Sequence, residues 1–165
     1  MAKRQVFFSF EYNKDNWRAS QVRNMGKVSD DSTFSDNDWE EVKSKNDSDI
    51  KKWIDSQLEK RSCVVVLIGS TTANRKWINY EIEQAYKNNK GLVGIYIHNL
   101  KDSSSKQTTK GNNPFNYVCD YKGNLLSTHV KTFDSIYSSS DNVYNDIEDH
   151  IEGLIEEAIM NAGTY

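Results

Sequence analysis

An unbroken apolar run, Cys63-Val64-Val65-Val66-Leu67-Ile68, ends at Gly69-Ser70 and leads into Lys76-Trp77-Ile78-Asn79-Tyr80-Glu81-Ile82. A strand without polar alternation is covered on both faces, which is the habit of a parallel sheet. Parallel strands need a crossover between them, usually a helix. The second stretch supplies one. At about 100° per residue, Ile78, Ile82, Ala85 and Tyr86 make a buried stripe, Trp77 and Glu81 share one shoulder of it, and Glu83 points to solvent. Glu81, rather than Glu83, is therefore the carboxylate that can meet an indole at the mouth of the sheet.

The rest of the chain repeats the pattern. Val6-Phe7-Phe8-Ser9-Phe10 reads as a first strand, and residues 15–24 as a weak helix with Trp17 and Val22 as its core contacts. Residues 25–40 are polar and rich in Ser and Asp, which predicts a loop with at most a short strand near Thr33-Phe34. Ile50, Trp53, Ile54, Gln57 and Leu58 follow helical spacing after a cap at Asp47 or Ser48. Gly91 to Ile97 is a further strand. Residues 99–116 are polar, contain the only proline, Pro114, and predict a long surface loop. One or two short strands are expected between Tyr117 and Phe133. Val143, Ile147, Ile151, Leu154, Ile155 and Ala158 define a last helix, capped by Ser140 or Asp141 and closed by Gly163. Alternating strands and helices imply an α/β, flavodoxin-like parallel sheet with helices on both faces. The 165 residues form a single domain: a core over about 3–100, the loop 99–116, and a strand and helix over 117–162.

A net charge of −3 leaves no electrostatic footprint for nucleic acid. No apolar run approaches the roughly 20 residues of a membrane span, and the N-terminus enters a strand instead of a signal-peptide core. Cys63 and Cys119 make no disulfide framework, and fit a reducing cytoplasm. His98, His129 and His150 are scattered, so no metal is expected. There is no G-x-G-x-x-G after the first strand, no G-x-x-x-x-G-K-[ST] and no G-x-S-x-G, which leaves dehydrogenase, P-loop NTPase and esterase chemistry unsupported.

Ligands of open α/β sheets sit beyond the carboxyl ends of the strands. Here those ends are Ser9-Phe10, Gly69-Ser70 and His98-Asn99, next to the helix that carries Trp77 and Glu81. An indole beside a carboxylate can hold a flat cationic ring and act on the sugar attached to it, the task of a nucleotide N-glycosidase. Each residue also has a plainer role. Glu81 could be a helix-surface carboxylate, Trp77 a shoulder aromatic, and Phe10 part of the core, as Phe8 is expected to be. Ser9 and Ser70 could satisfy backbone groups in turns, and His98 could be structural. Asp36, Asp38 and Trp39 lie in a segment able to cover the pocket but read as a solvated acidic turn. Glu148, Glu152 and Glu156 read as a solvated helix face.

The opening Val6-Phe7-Phe8-Ser9-Phe10, the block from Val64 to Ile68 with Ser70, the Trp77-Ile78-Asn79-Tyr80-Glu81 that follows it, and Asn113-Pro114-Phe115 together resemble the TIR-like family. They are most similar to its bacterial branch in Thoeris antiphage defence, the ThsB branch. The resemblance runs from about Lys3 to Tyr117. It implies cleavage of NAD+, as substrate and not as cofactor, at the nicotinamide–ribose bond. The implied product is a cyclic ADP-ribose isomer that signals to a downstream effector. By carry-over, Glu81 would be catalytic, Trp77 would pack by the nicotinamide or its ribose, and Ser9 and Phe10 would line the pocket. Ser70 and His98, at the other two strand ends, are further candidate substrate contacts. Activity is expected to stay low until an infection cue, such as a phage trigger protein, binds or drives homo-oligomer assembly. Residues 25–40 lack the Arg-Asp…Pro-Gly pattern of signalling TIR domains, and the 99–116 insertion is unlike a minimal one. A non-catalytic adaptor acting by protein–protein contact, or a nucleoside deoxyribosyltransferase-like N-glycosidase, are the alternatives.

Overall fold

A computed structural model describes residues 3–29, 42 and 44–165. The expected strand near Thr33-Phe34, and the segment with Asp36, Asp38 and Trp39, lie outside the described residues. The elements in chain order are β1 (Val6–Ser9), α1 (Tyr12–Arg23), α2 (Asp47–Glu59), β2 (Cys63–Ile68), α3 (Lys76–Lys87), β3 (Gly91–Tyr96), β4 (Thr132–Phe133) and α4 (Ser140–Asn161). The four strands form one parallel sheet in the order β1-β2-β3-β4.

Strand alternation divides the core into two layers. Val6, Phe8, Cys63, Val65, Leu67, Val93 and Ile95 pack with Ala19 and Val22 of α1 and with Ile147, Ile151 and Ile155 of α4. Phe7, Val64, Val66, Ile68 and Leu92 point to the other face, against Ile50, Ile54 and Leu58 of α2 and Ile78, Ile82 and Ala85 of α3. Every residue of β1, β2 and β3 is buried, as an apolar run covered on both faces requires. The caps fall one residue before the expected ones: Asn46 accepts from the Asp49 N–H and Ser139 from the Asn142 N–H. Gly163 takes the left-handed conformation just past α4, with φ +78°.

One expectation needs correcting. Trp17 is not a core contact: it is 53% exposed, and α1 begins at Tyr12. The inner face of this helix is half polar, because the buried residues are Asp15, Arg18, Ala19 and Val22. The expected long surface loop is present, with no buried residue over 101–113, and it is tethered. Arg18, 3% exposed, donates from Nε to the Leu100 carbonyl and from Nη2 to the Lys106 carbonyl, each at 2.8 Å. Its Nη1 meets Asp15 Oδ1 at 2.9 Å. Gly111 then crosses the end of β2 so closely that a Cβ there would lie 2.2 Å from the Gly69 carbonyl oxygen. Beyond the loop, Pro114–Tyr117 and Leu126–Thr128 are short 3-10 turns, and Cys119 bridges Leu125 antiparallel before β4.

Candidate active site

β1 and α1 are joined by only two residues, so the chain leaving Ser9 turns at once across the carboxyl edge of the sheet. On the neighbouring strand, the turn after β2 is tied by the Gly69 N–H donating to Thr72 Oγ1 at 2.8 Å. It is redirected at Asn74, whose φ of 61° is a left-handed conformation that asparagine tolerates, and α3 starts two residues later. These two connections face each other across a cleft of about 430 Å³. It is lined by Phe10, Glu11, Tyr12 and Asn13 on one side and by Asn74, Arg75, Lys76, Trp77, Ile78 and Glu81 on the other. That volume is in the range of small-molecule sites.

Glu81 is the cleft's buried carboxylate on α3. Ile78 and Ile82 anchor that turn in the core, and this carries Glu81 inward until it is 4% exposed. Glu83, on the far side of the helix, is exposed. Burial pushes the Glu81 carboxyl up from 4.5 to about 8, with the neighbouring Ser9 hydroxyl opposing the shift. The opposition is weak in geometric terms, since neither Ser9 Oγ nor Glu81 Oε2 makes a properly formed hydrogen bond. A buried carboxyl with one oxygen unpartnered is costly to keep ionised. A carboxyl so placed can face a cation or accept from a hydroxyl, and this makes the cleft the candidate site.

Trp77, half-buried, stands edge-on to Tyr80 at 5.9 Å between ring centroids, with the Lys76 ammonium 4.9 Å from its own ring centroid. Phe10 stacks on Tyr12 along the opposite wall at 6.0 Å between ring centroids. The structure thus brings Phe10, Trp77 and Glu81 into one cleft, with Ser9 beside Glu81. Ser70 opens instead into an adjoining hollow of about 390 Å³, which shares Asn13 with the cleft and is lined also by Lys14, Trp17, Arg18 and Lys106. His98 lines neither space. It is buried edge-on to Tyr96 at 6.0 Å, its Nδ1 makes no hydrogen bond, and burial lowers its pKa. Among the described residues, no group of three His, Cys, Asp or Glu side chains could hold a metal ion, and no helix is long and apolar enough to cross a membrane.

Two charged residues of the cleft escaped the sequence reading. Glu11, 7% exposed, caps α1 by accepting from the Lys14 N–H at 3.0 Å. Its other oxygen faces the Arg75 guanidinium at 3.8 Å. Glu11 directly follows the strand-end pair Ser9-Phe10, so the rule that sites lie at strand ends could have found it. Arg75 had no local signal.

An open parallel sheet with helices on both faces, and a cleft at its carboxyl edge, makes this an α/β domain consistent with the TIR-like class. The family model described as "Thoeris protein ThsB, TIR-like domain" matches residues 7–102, and the chain belongs to that family. It is also similar to a Bacillus cereus (strain MSX-D12) protein named "Putative cyclic ADP-D-ribose synthase ThsB1". The two are 38% identical over 123 residues, which is 72% of this chain and 64% of that protein. The matched stretch therefore spans somewhat under two thirds of the relative's length.

Proposed function

We propose that this chain is an NAD+-consuming enzyme that breaks the nicotinamide–ribose bond and closes the remainder into a cyclic ADP-ribose-type product. The observation that carries this is Glu81, a buried, proton-retaining carboxylate facing an aromatic-walled cleft. Membership of the ThsB family and the similarity to a protein named as a cyclic ADP-D-ribose synthase support it.

The chemistry suits one carboxylate. Nicotinamide leaves as a neutral molecule when the C1′–N bond breaks, so no general acid is needed, unlike in glycosidases with their two carboxylates. The barrier lies in the ribosyl cation, which a fixed carboxylate stabilises electrostatically. In the empty cleft Glu81 holds its proton. The cationic nicotinamide ring favours the ionised form once bound, so the substrate itself helps to charge the catalytic group. Trp77 and Phe10 supply flat walls for the ring and its ribose. A hydroxyl of the same molecule then attacks C1′, and its proton passes to Glu81 or to water. Attack by water would give linear ADP-ribose, and a cleft that excludes water favours ring closure. The product would act as a diffusible cytoplasmic signal to a downstream effector, with synthesis low until infection.

The test is chromatography and mass spectrometry of NAD+ incubated with lysate from phage-infected cells expressing the chain, beside a Glu81→Gln control. A species with the mass of cyclic ADP-ribose, lost in the control, is expected. Linear ADP-ribose alone would make the enzyme a hydrolase. Unchanged NAD+ in the presence of folded protein would overturn the proposal in favour of an adaptor.

A further inference from the structure

We infer that Arg75 is the residue that holds the diphosphate of the dinucleotide, and that Glu11 is a built-in competitor that occupies Arg75 while the cleft is empty. The inference rests on the NAD+ reading of the same cleft.

The charges of the cleft are segregated by depth. Glu81, almost wholly buried, presents an unpartnered oxygen. Arg75 and Lys76 stand at the exposed first turn of α3, with side chains 45% and 61% exposed. A ligand that is cationic at one end and anionic a sugar's length away matches this order, with its ring inward and its diphosphate at the rim. Lys76 is engaged elsewhere, in an ion pair with Asp47 and over the Trp77 ring. Arg75 is better placed. Its Nε donates to the Thr71 carbonyl at 2.7 Å, which fixes the plane of the guanidinium. Arg75 is also the cap residue of α3, and its side chain makes no capping bond. A planar fork is the usual partner of phosphate oxygens.

The Glu11 contact is what makes the site switchable. At 3.8 Å it is an ion pair but too long for a hydrogen bond. Glu11 is meanwhile held firmly by its cap bond to Lys14. The cap bond and the ion pair use different oxygens of Glu11, so Arg75 can exchange its partner without breaking the cap. A diphosphate oxygen at normal hydrogen-bond distance would outcompete this loose pair, and would have to overcome the repulsion of the Glu11 carboxylate to do so. Glu11 therefore weakens dinucleotide binding, and discriminates against anions that cannot form a forked contact.

Binding is measured by calorimetry on the full chain carrying Glu81→Gln, which prevents turnover, with NAD+, ADP-ribose and nicotinamide as separate probes. Adding Arg75→Met should weaken NAD+ and ADP-ribose by about tenfold and leave nicotinamide unchanged. Adding Glu11→Gln, whose amide oxygen can keep the cap bond, should tighten both dinucleotide probes by about threefold, a gain that misfolding cannot produce. With both changes present the Glu11 gain should be smaller, because only the repulsion between Glu11 and the diphosphate is then relieved. NAD+ binding unaffected by Arg75→Met overturns the inference and leaves the enzyme assignment standing. ADP-ribose binding that depends on Arg75, with no binding of NAD+ to this variant or to the parent chain, supports the anion site and removes the NAD+ reading. No binding of either probe overturns both.

Discussion

Replacing Glu81 by Gln should stabilise this protein, and by an amount that grows with pH. The folded carboxyl holds its proton up to about pH 8, whereas the unfolded chain releases it near the ordinary 4.5. Below pH 4.5 both states are protonated, so the favourable proton binding is fully present. Between pH 4.5 and 8 only the folded state binds the proton, and stability falls as pH rises through that window. Above pH 8 the folded state must carry a buried charge. The full displacement corresponds to about 5 kcal/mol above pH 8, and to about 3 kcal/mol at pH 7, both upper limits because water entering the cleft screens the charge. Glutamine has the shape of the protonated acid and does not titrate. The difference in stability between variant and parent should be near zero at pH 4.5 and rise to at least ~2 kcal/mol at pH 8, equivalent to roughly 4–8 °C in Tm for a chain of this size. Thermal unfolding of both proteins from pH 4.5 to 9 isolates this term, since every other titrating group cancels in the difference. A difference that does not change with pH would refute the placement of Glu81 as a buried, unpartnered acid. The same change should abolish NAD+ turnover, so stability and activity move in opposite directions at this position.

Two further outcomes follow from the same geometry. The rate of nicotinamide release at low NAD+ should rise with pH, with an apparent pKa near the value of about 8 for the free enzyme. At saturating NAD+ the apparent pKa should be lower, because the bound cationic ring favours ionised Glu81; a profile with an acid limb near 4.5 in both regimes would contradict this. Gly111→Ala would place a Cβ 2.2 Å from the Gly69 carbonyl oxygen and 2.8 Å from that of Ser70. Backbone cannot yield as a side-chain tip can, so a loss of about 1–3 kcal/mol is expected in urea unfolding, and an unchanged midpoint would show that the loop does not lie on the end of β2.

The sheet was legible because β2 and β3 are apolar without interruption and α2, α3 and α4 carry clean stripes. The angular separation of Glu81 from Glu83 on α3 also held, because α3 is anchored by Ile78 and Ile82. Trp17 was misassigned for a definite reason. The inward face of α1 is built from an ion pair, and a periodicity rule that counts apolar residues reads such a helix by its largest ring. The restraint on the 99–116 loop was equally hidden. Its polar composition predicts the exposure it shows, but Arg18 also reaches carbonyls 82 and 88 residues further along, and nothing local to either segment announces that. Glu11 and Arg75 meet for the same kind of reason: they belong to different strand–helix connections that only the folded sheet brings together.

The Asp15–Arg18 pair ties these points together, because it supports the very edge of the sheet on which the cleft is built. Burial raises the Asp15 pKa while Arg18 opposes the rise, and Asp15 sits where a Cβ on Gly69 would strike its carboxyl. Arg18 thus holds the loop at Leu100 and Lys106, and through Asp15 abuts the turn that leads from β2 into α3. Arg18→Met would strand a buried carboxylate and free the loop carbonyls of Leu100 and Lys106, for which a loss of about 3–5 kcal/mol is expected. The more informative consequence concerns Glu81. A proton-retaining carboxyl depends on a site rigid enough to deny it water, since a loosened α3 would let Glu81 turn outward and ionise normally. In the Arg18→Met background the pH-dependent gain from Glu81→Gln should therefore shrink, a coupling that a double-mutant cycle measures directly. Full retention of that gain would mean that α3 and its glutamate are held by their own core contacts alone, and that the clamp on the loop has no part in preparing the site.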